Sequence, residues 1–124
     1  MNKLFIEKTK DTPEINFNAS TGLLKISGRA YSNDIYEFYN EFSIWMDEYF
    51  QAPKETTTMV LQIEYCNTIF NKLLIKIFEK GKTVLLKNKK LIIKWYYEKD
   101  DKDSLEEAVF LSNSIDYPIE KIEI

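Results

Sequence analysis

The sequence predicts an α/β protein in which a mixed β-sheet carries helices packed against it. Short extended segments separated by turn residues fill the first third of the chain, which is typical of an antiparallel meander. After residue 34, helical stripes alternate with buried β-type runs, as in β–α–β–α units whose parallel strands are joined by crossovers. The 124 residues contain no linker-like break, so we expect one domain spanning residues 1–124.

Three short strands are predicted to form the meander. They cover Leu4–Lys8, Glu14–Asn18 and Leu23–Arg29. Ser20-Thr21-Gly22 lies between the second and the third, and these residue types favour a tight turn.

The clearest helical pattern in the sequence follows Asp34. Its apolar stripe consists of Ile35, Phe38, Tyr39, Phe42, Trp45, Met46 and Tyr49, at steps of three and four residues. The polar triplet Ser32-Asn33-Asp34 opens this helix, and Asp34 with Glu37 has the spacing of a capping box. Pro53 predicts its end.

A strand-to-helix junction is predicted in the middle of the chain. Thr58–Tyr65 resembles a strand buried at its centre, and a helical stripe begins directly after Asn67 and Thr68. This stripe consists of Ile69, Phe70, Leu73, Leu74, Ile77 and Phe78. Gly81 follows it and predicts the end of the helix.

The last third of the chain repeats the strand-then-helix order. Leu91–Tyr97 is a β-type run, and the segment Asp103-Ser104-Leu105-Glu106 has cap spacing ahead of a weaker helix that reaches about Ile115. Ile119–Ile124 is interpreted as either a final strand or a tail.

Composition excludes several classes of function. The net charge of −3 argues against general affinity for nucleic acid or for an anionic membrane surface. The absence of histidine excludes Ser-His-Asp and Cys-His catalysis and histidine metal sites. Cys66 is the only cysteine, is expected to be a small buried side chain, and suits a reducing compartment. With no signal peptide or membrane-spanning run predicted, we expect a cytoplasmic protein without membrane insertion.

Thr68 is the leading candidate site because it lies at the start of a predicted helix. The first N–H groups of a helix lack partners, so a hydroxyl or phosphate placed there meets backbone donors and the positive end of the helix dipole. A cap formed by Asn67 or Thr68, a phosphorylation site, or both remain open on this pattern alone.

An acidic cluster precedes and enters the last helix. It consists of Asp100, Asp101, Asp103, Glu106 and Glu107. Helix capping explains carboxylates at such a place, a patch that selects a basic partner is a second interpretation, and a magnesium site is a third. Arg29, the only arginine, is expected to pair with a carboxylate or a phosphate.

Several motifs, in their order along the chain, resemble one known family. They are Thr12-Pro13-Glu14-Ile15, Gly28-Arg29-Ala30-Tyr31, Phe38-Tyr39 with Trp45, Glu64-Tyr65-Cys66-Asn67-Thr68, and Trp95-Tyr96-Tyr97 leading into Asp100-Asp101-Lys102-Asp103. The sequence resembles the SiaC-type regulatory phosphoproteins, small bacterial proteins whose fold is similar to the STAS domains of anti-sigma-factor antagonists.

The resemblance implies a non-enzymatic switch in a partner-switching pathway. In that family a dedicated kinase phosphorylates the threonine that corresponds to Thr68, a PP2C-type phosphatase removes the phosphate, and the unmodified form binds and activates a diguanylate cyclase. No cofactor or metal is expected. The candidate partner-binding residues are Arg29, Tyr31, Asn67, Ile69, Asp100, Asp101 and Asp103.

Two alternatives remain beside this hypothesis. One is a constitutive protein-binding module in which Thr68 is only a helix cap. The other is a small metal-dependent enzyme that uses Asp100, Asp101 and Asp103, although the cluster lacks the spacing of a calcium loop.

Overall fold

A single six-stranded sheet organises the protein, for which a computed structural model describes residues 3–31 and 34–124. The strands lie in chain order, with β1–β2 and β2–β3 antiparallel and the pairs β3–β4, β4–β5 and β5–β6 parallel. They are β1 (Lys3–Ile6), β2 (Glu14–Asn18), β3 (Leu23–Ala30), β4 (Thr56–Cys66), β5 (Lys90–Tyr97) and β6 (Glu120–Glu123).

Three helices connect the parallel strands. They are α1 (Ile35–Gln51) between β3 and β4, α2 (Thr68–Lys82) between β4 and β5, and α3 (Lys102–Ile115) between β5 and β6. A 3₁₀ segment, Thr83–Lys87, extends α2 before β5. The predicted mixed sheet with an antiparallel meander followed by strand–helix units is therefore confirmed. No helix in the described part of the chain is long and apolar enough to cross a membrane.

The core lies between the helices and one face of the sheet. Alternate residues of the central strands are buried with the apolar sides of the helices, as shown by Ile26, Leu61 and Ile93. The residues between them on the same strands are more accessible to solvent, as shown by Lys25, Val60 and Lys94. The sheet thus has a covered face and an open face.

The predicted stripe of α1 forms the aromatic centre of the core. Phe42 is fully buried, and its ring packs edge-on against Phe17 of β2 and Phe38, with ring centroids 5.8 and 5.2 Å apart. Asp34 caps the helix by accepting from the Glu37 N–H, as expected. Ser32 and Asn33, predicted to lead into this helix, lie outside the described residues.

Gly81 does not end the second helix, which corrects the sequence-based prediction. The helix continues through Gly81 because the missing side chain allows close packing on β4: a Cβ there would lie 2.7 Å from Cε of Met59. The chain leaves the helical conformation only at Asn88, whose φ of 60° is left-handed. Glycine serves helix–sheet packing at this position.

Other boundaries differ from the predictions in smaller ways. Asp101, rather than Asp103, caps α3 by accepting from the Ser104 N–H at 3.0 Å. Ile69, assigned to the buried stripe of α2, is 40% exposed because it lies in the first helical turn, beyond the edge of the sheet. The C-terminal segment is a strand rather than a tail.

Parallel pairing gathers three helix starts at one edge of the sheet. The strands β3, β4 and β5 end at this carboxyl edge, and α1, α2 and α3 begin there. Asp34, Asn67 and Asp101 are the three capping residues. The edge therefore combines helix dipoles with short polar loops, where α/β sheets commonly place their functional residues.

Replacing Gly22 by alanine should destabilise the protein by about 1–3 kcal/mol. Its φ is 72°, and a Cβ would lie 2.5 Å from the carbonyl oxygen of Thr56, so the turn before β3 cannot accept a side chain without moving backbone. The free energy of unfolding in urea measures this. Ser20→Ala, an exposed change in the same turn, should alter stability by less than about 0.5 kcal/mol. Equal midpoints for Gly22→Ala and the wild type would contradict this packing.

Candidate functional site

The junction between β4 and α2 is held by Asn67. Its side-chain oxygen accepts from the Phe70 N–H at 2.8 Å, and its own N–H donates to the Ala30 carbonyl at the end of β3, at 3.0 Å. Asn67 therefore caps the helix and ties its start to the neighbouring strand. This settles which of the two candidate residues is the cap.

Thr68 is the first residue of α2 and is exposed. Within residues 3–31 and 34–124, no hydrogen-bond partner lies within reach of its hydroxyl, since the capping role belongs to Asn67. The N–H groups of Thr68 and Ile69 belong to the first turn, where helical geometry supplies no carbonyl partner. Lys72 is exposed one turn later, on the same side of the helix as Thr68.

A chain of polar side chains links β4, α2 and α3 beneath this junction. The Cys66 thiol donates to Oδ1 of Asn71 at 2.9 Å, and the Asn71 side chain acts on the Glu107 carboxylate by favouring a lower pKa. Burial, together with the nearby charge of Glu107, raises the pKa of the Cys66 thiol to about 12. The thiol is therefore protonated at neutral pH, as expected for a structural cysteine.

Glu107 is unusual among the carboxylates of this edge. One of its oxygens is buried without a hydrogen-bond partner among the described residues. Burial raises the pKa of this carboxyl group, while the Asn71 side chain acts in the opposite direction. The charged form is thus disfavoured by desolvation.

An acidic cleft of about 220 Å³ opens between the end of β4 and the start of α3. Its lining residues are Ile63, Glu64, Tyr65, Cys66, Trp95, Asp101, Asp103, Ser104 and Glu107. Its floor is fixed by a buried hydrogen bond in which Trp95 Nε1 donates to Ser104 Oγ at 2.9 Å. In the described part of the chain, no group of three or more Asp, Glu or Cys side chains is arranged to hold a metal ion.

Arg29 lies in an aromatic cluster beside the junction. Its guanidinium donates to the Tyr31 hydroxyl at 3.3 Å and lies 5.9 Å from the ring centroid of Tyr31. Tyr31 and Tyr65 meet edge to face with centroids 5.3 Å apart. Arg29 and Glu64 approach to 3.9 Å, but both side chains are more than half exposed, so this ion pair adds little stability.

A β-bulge places Tyr65 in this cluster. Gly28 pairs with Ile63 and Arg29 with Tyr65, so Glu64 is an extra residue on β4. The extra residue reverses the alternation of the strand. Tyr65 therefore shares the open face with Arg29, while Cys66 turns toward the helices.

All candidate residues from the sequence lie at the carboxyl edge, in three groups. Asn67, Thr68 and Ile69 start α2, Arg29 and Tyr31 follow the end of β3, and Asp100, Asp101 and Asp103 precede or enter α3. Asp101 and Asp103 line the acidic cleft, whereas Asp100 is exposed outside it and contributes a backbone carbonyl to the Lys102 N–H.

Sequence reasoning missed Tyr65, Asn71 and the inward position of Glu107. A signal for Glu107 exists, because it lies three residues after the buried Ser104 and four before the buried Leu111, on the inner side of α3. Tyr65 carries no comparable signal, since simple strand alternation places it on the covered face and only the bulge reverses this.

Comparison with known proteins identifies the family. A sequence model described as "SiaC family regulatory phosphoprotein" matches residues 6–124. The chain belongs to the SiaC family. An uncharacterized protein of Pseudomonas aeruginosa strain UCBPP-PA14 is 21% identical over 118 residues, which are 95% of this chain and 94% of that protein.

Solved structures of the family share the fold. SiaC of Pseudomonas aeruginosa superposes with a TM-score of 0.87 at 20% identity, covering 100% of both chains. A second similar structure is the diguanylate cyclase SiaD in complex with its activator SiaC from the same species, with a TM-score of 0.88 at 20% identity, covering 98% of this chain and 99% of that one.

Asn67→Ala should lower the free energy of unfolding by about 1 kcal/mol, because the Phe70 N–H loses its acceptor. Asn67→Asp keeps an acceptor and adds a charge that the helix dipole favours, so its stability should stay near that of the wild type. Chemical denaturation of the three proteins measures this difference. An unchanged Asn67→Ala midpoint would show that Asn67 is not the cap.

Glu107→Gln should stabilise the protein at pH 7. The pKa of Glu107 is raised in the folded state, so ionising this carboxyl group lowers the free energy of unfolding. This destabilisation is complete above the folded-state pKa and absent below the pKa of the unfolded chain, near 4.3. The stability gained by the glutamine should therefore shrink as the pH falls toward 4. Melting temperatures of both proteins between pH 4 and 8 test this, with the exposed Glu106→Gln as the matched control. A pH-independent difference would contradict the shifted titration.

Proposed function

We propose that the protein is a non-enzymatic regulatory switch whose docking to an effector is controlled by phosphorylation of Thr68. The observation that carries this proposal is the free, exposed hydroxyl of Thr68 on the first turn of α2. The neighbouring Asn67 does the capping, so modification of Thr68 costs the fold no existing hydrogen bond. Membership in a family of regulatory phosphoproteins supports the same conclusion.

The first turn of α2 suits a phosphate. A phosphothreonine carries a charge of about −1.5 to −2 and three acceptor oxygens. The unpartnered N–H groups of the turn and the positive end of the dipole favour that charge. The first turn contains no acidic residue that would repel the group, and Lys72 offers a cation one turn along. Phosphorylation should therefore leave the fold intact.

The same phosphate changes what a partner meets at the carboxyl edge. Ile69 is an exposed apolar side chain directly beside Thr68, so an unmodified edge presents apolar surface flanked by the carboxylates of the acidic cleft. A partner adapted to that surface must desolvate the phosphate when it binds the modified form, which opposes binding. The unmodified form is therefore the form that docks.

The docking surface consists of the residues that the fold gathers at this edge. It comprises Arg29, Tyr31, Asn67, Thr68, Ile69, Asp100, Asp101 and Asp103, with the adjoining start of α1. We assign a diguanylate cyclase as the effector, by analogy with the solved complex in which SiaC is the activator of SiaD. A protein kinase and a PP2C-type phosphatase would set the phosphorylation state of Thr68.

Affinity purification from the native host tests the switch. Tagged wild-type protein and Thr68→Val should recover a diguanylate cyclase, whereas Thr68→Asp should recover at least tenfold less, with little change in melting temperature. Thr21→Asp places the same charge in the turn at the opposite edge of the sheet and should behave as wild type.

Mass spectrometry of the recovered protein completes this test. A phosphopeptide containing Thr68 should be found in the host and should be absent from the fraction bound to the effector. Undiminished recovery with Thr68→Asp, or a lack of phosphate on Thr68 across growth conditions, would leave a constitutive binding module as the function.

A further inference from the structure

The open face of the sheet carries a surface that the proposed switch does not use. Its central part consists of Leu23, Lys25 and Ser27 on β3, Thr58, Val60 and Gln62 on β4, Ile92, Lys94 and Tyr96 on β5, and Ile122 on β6. Leu23 and Ile92 are 41% and 39% exposed, and the other residues of this central part are half-buried. None of the helices in residues 3–31 and 34–124 covers this face.

The strand register gives this face a defined pattern. Val60 lies directly between Lys25 and Lys94, its cross-strand partners on β3 and β5. Thr58 lies in the next row, between Leu23 and Ile92. The strip formed by Thr58 and Val60 along β4 is thus flanked by Leu23 and Ile92 beside Thr58 and by one lysine on each side of Val60.

The two lysines are not neutralised within the described residues. Neither Lys25 nor Lys94 forms an ion pair or a side-chain hydrogen bond there. The open face as a whole carries more cations than carboxylates, although the chain has a net charge of −3. The cations are Lys3, Lys25, Lys90 and Lys94, and the carboxylates are Glu14 and Glu120; Arg29, nearer the carboxyl edge, is paired with Glu64.

We propose that this open face is a second docking surface and that it binds an acidic amphipathic helix of a partner protein. Neighbouring strands are about 4.8 Å apart, so Lys25 and Lys94 are separated by about 10 Å, which is close to the diameter of a helix. A helix lying along β4 buries its apolar side on Val60 and Thr58. Acidic residues on its two flanks then meet the two lysines.

The chemistry of the strip favours a protein helix over other anionic partners. Val60, between the lysines, and Thr58, in the next row of the strip, are β-branched, and such side chains pack on apolar side chains but do not stack on nucleic-acid bases. The covered face already shows that helices pack well on this sheet. The site is on a face rather than on the carboxyl edge, so phosphorylation of Thr68 should leave it unchanged.

Titration of the labelled protein with designed peptides tests the proposal. The probe is an 18-residue helical peptide with a leucine stripe flanked by glutamates, and the control peptide has lysines in place of those glutamates. In ¹H–¹⁵N NMR spectra, the glutamate peptide should shift the resonances of Lys25, Val60 and Lys94 in a saturable way and leave Thr68 unaffected. The lysine peptide should cause no such shifts.

Charge reversal provides the decisive comparison. The double variant Lys25→Glu/Lys94→Glu should bind the glutamate peptide at least tenfold more weakly than the wild type does. It should bind the lysine peptide more tightly than the wild type does. Lys10→Glu/Lys54→Glu, an equal change of charge at exposed positions away from the strip, should bind like the wild type. Thr68→Asp should also bind like the wild type, so this result is separate from that of the switch.

Three results would overturn the proposal. They are equal binding of both peptides, shifts centred on the helices or the carboxyl edge, and no saturable binding. Sedimentation analysis tests whether a second copy of the chain binds this face instead. If the wild type forms a homodimer and Lys25→Glu/Lys94→Glu abolishes it, the face would be assigned to that second copy.

Discussion

Parallel pairing of β3, β4 and β5 is the constraint on which the rest of the structure depends. Because these strands run in the same direction, each connection must cross the sheet, and the helices that make the crossings begin at one edge and pack on one face. The carboxyl edge then holds three helix starts, and the opposite face stays uncovered. The candidate switch site and the open face are both consequences of this pairing.

Thr68 can be modified without loss of the helix cap because Asn67, and not Thr68, caps the helix. A helix start needs a side-chain acceptor, and Asn67 supplies it while also anchoring the helix to β3. The Thr68 hydroxyl therefore forms no hydrogen bond with the described residues. Phosphorylation of a threonine that was itself the cap would replace the capping hydroxyl with a charged phosphate, and modification would then affect stability as well as binding.

The sequence predicted elements whose side chains repeat with a regular period. The stripe of α1 and the runs of β4 and β5 follow from apolar spacing, which burial on one face enforces. It could not predict features that depend on contact between distant segments. Gly81 was predicted to end the helix because its contact with Met59 cannot be seen in the sequence. Strand alternation places Tyr65 on the covered face, because the bulge at Glu64 is also invisible in the sequence. The family resemblance, and not the spacing, singled out Thr68 for modification.

The same bulge relates the two surfaces of the protein. It turns Tyr65 to the open face beside Arg29 and leaves Cys66 inside, where the thiol joins the polar chain to Asn71 and Glu107. The end of β4 therefore divides its residues between the edge, the interior and the open face within a few positions. Thr68 follows the end of β4, whereas Lys25 and Lys94 lie beside Val60, six residues before Cys66 on that strand, which corresponds to about 20 Å along the strand. Exposed charges separated by more than the screening length of about 8 Å interact weakly at physiological salt, so a partner on each surface can bind without direct electrostatic competition.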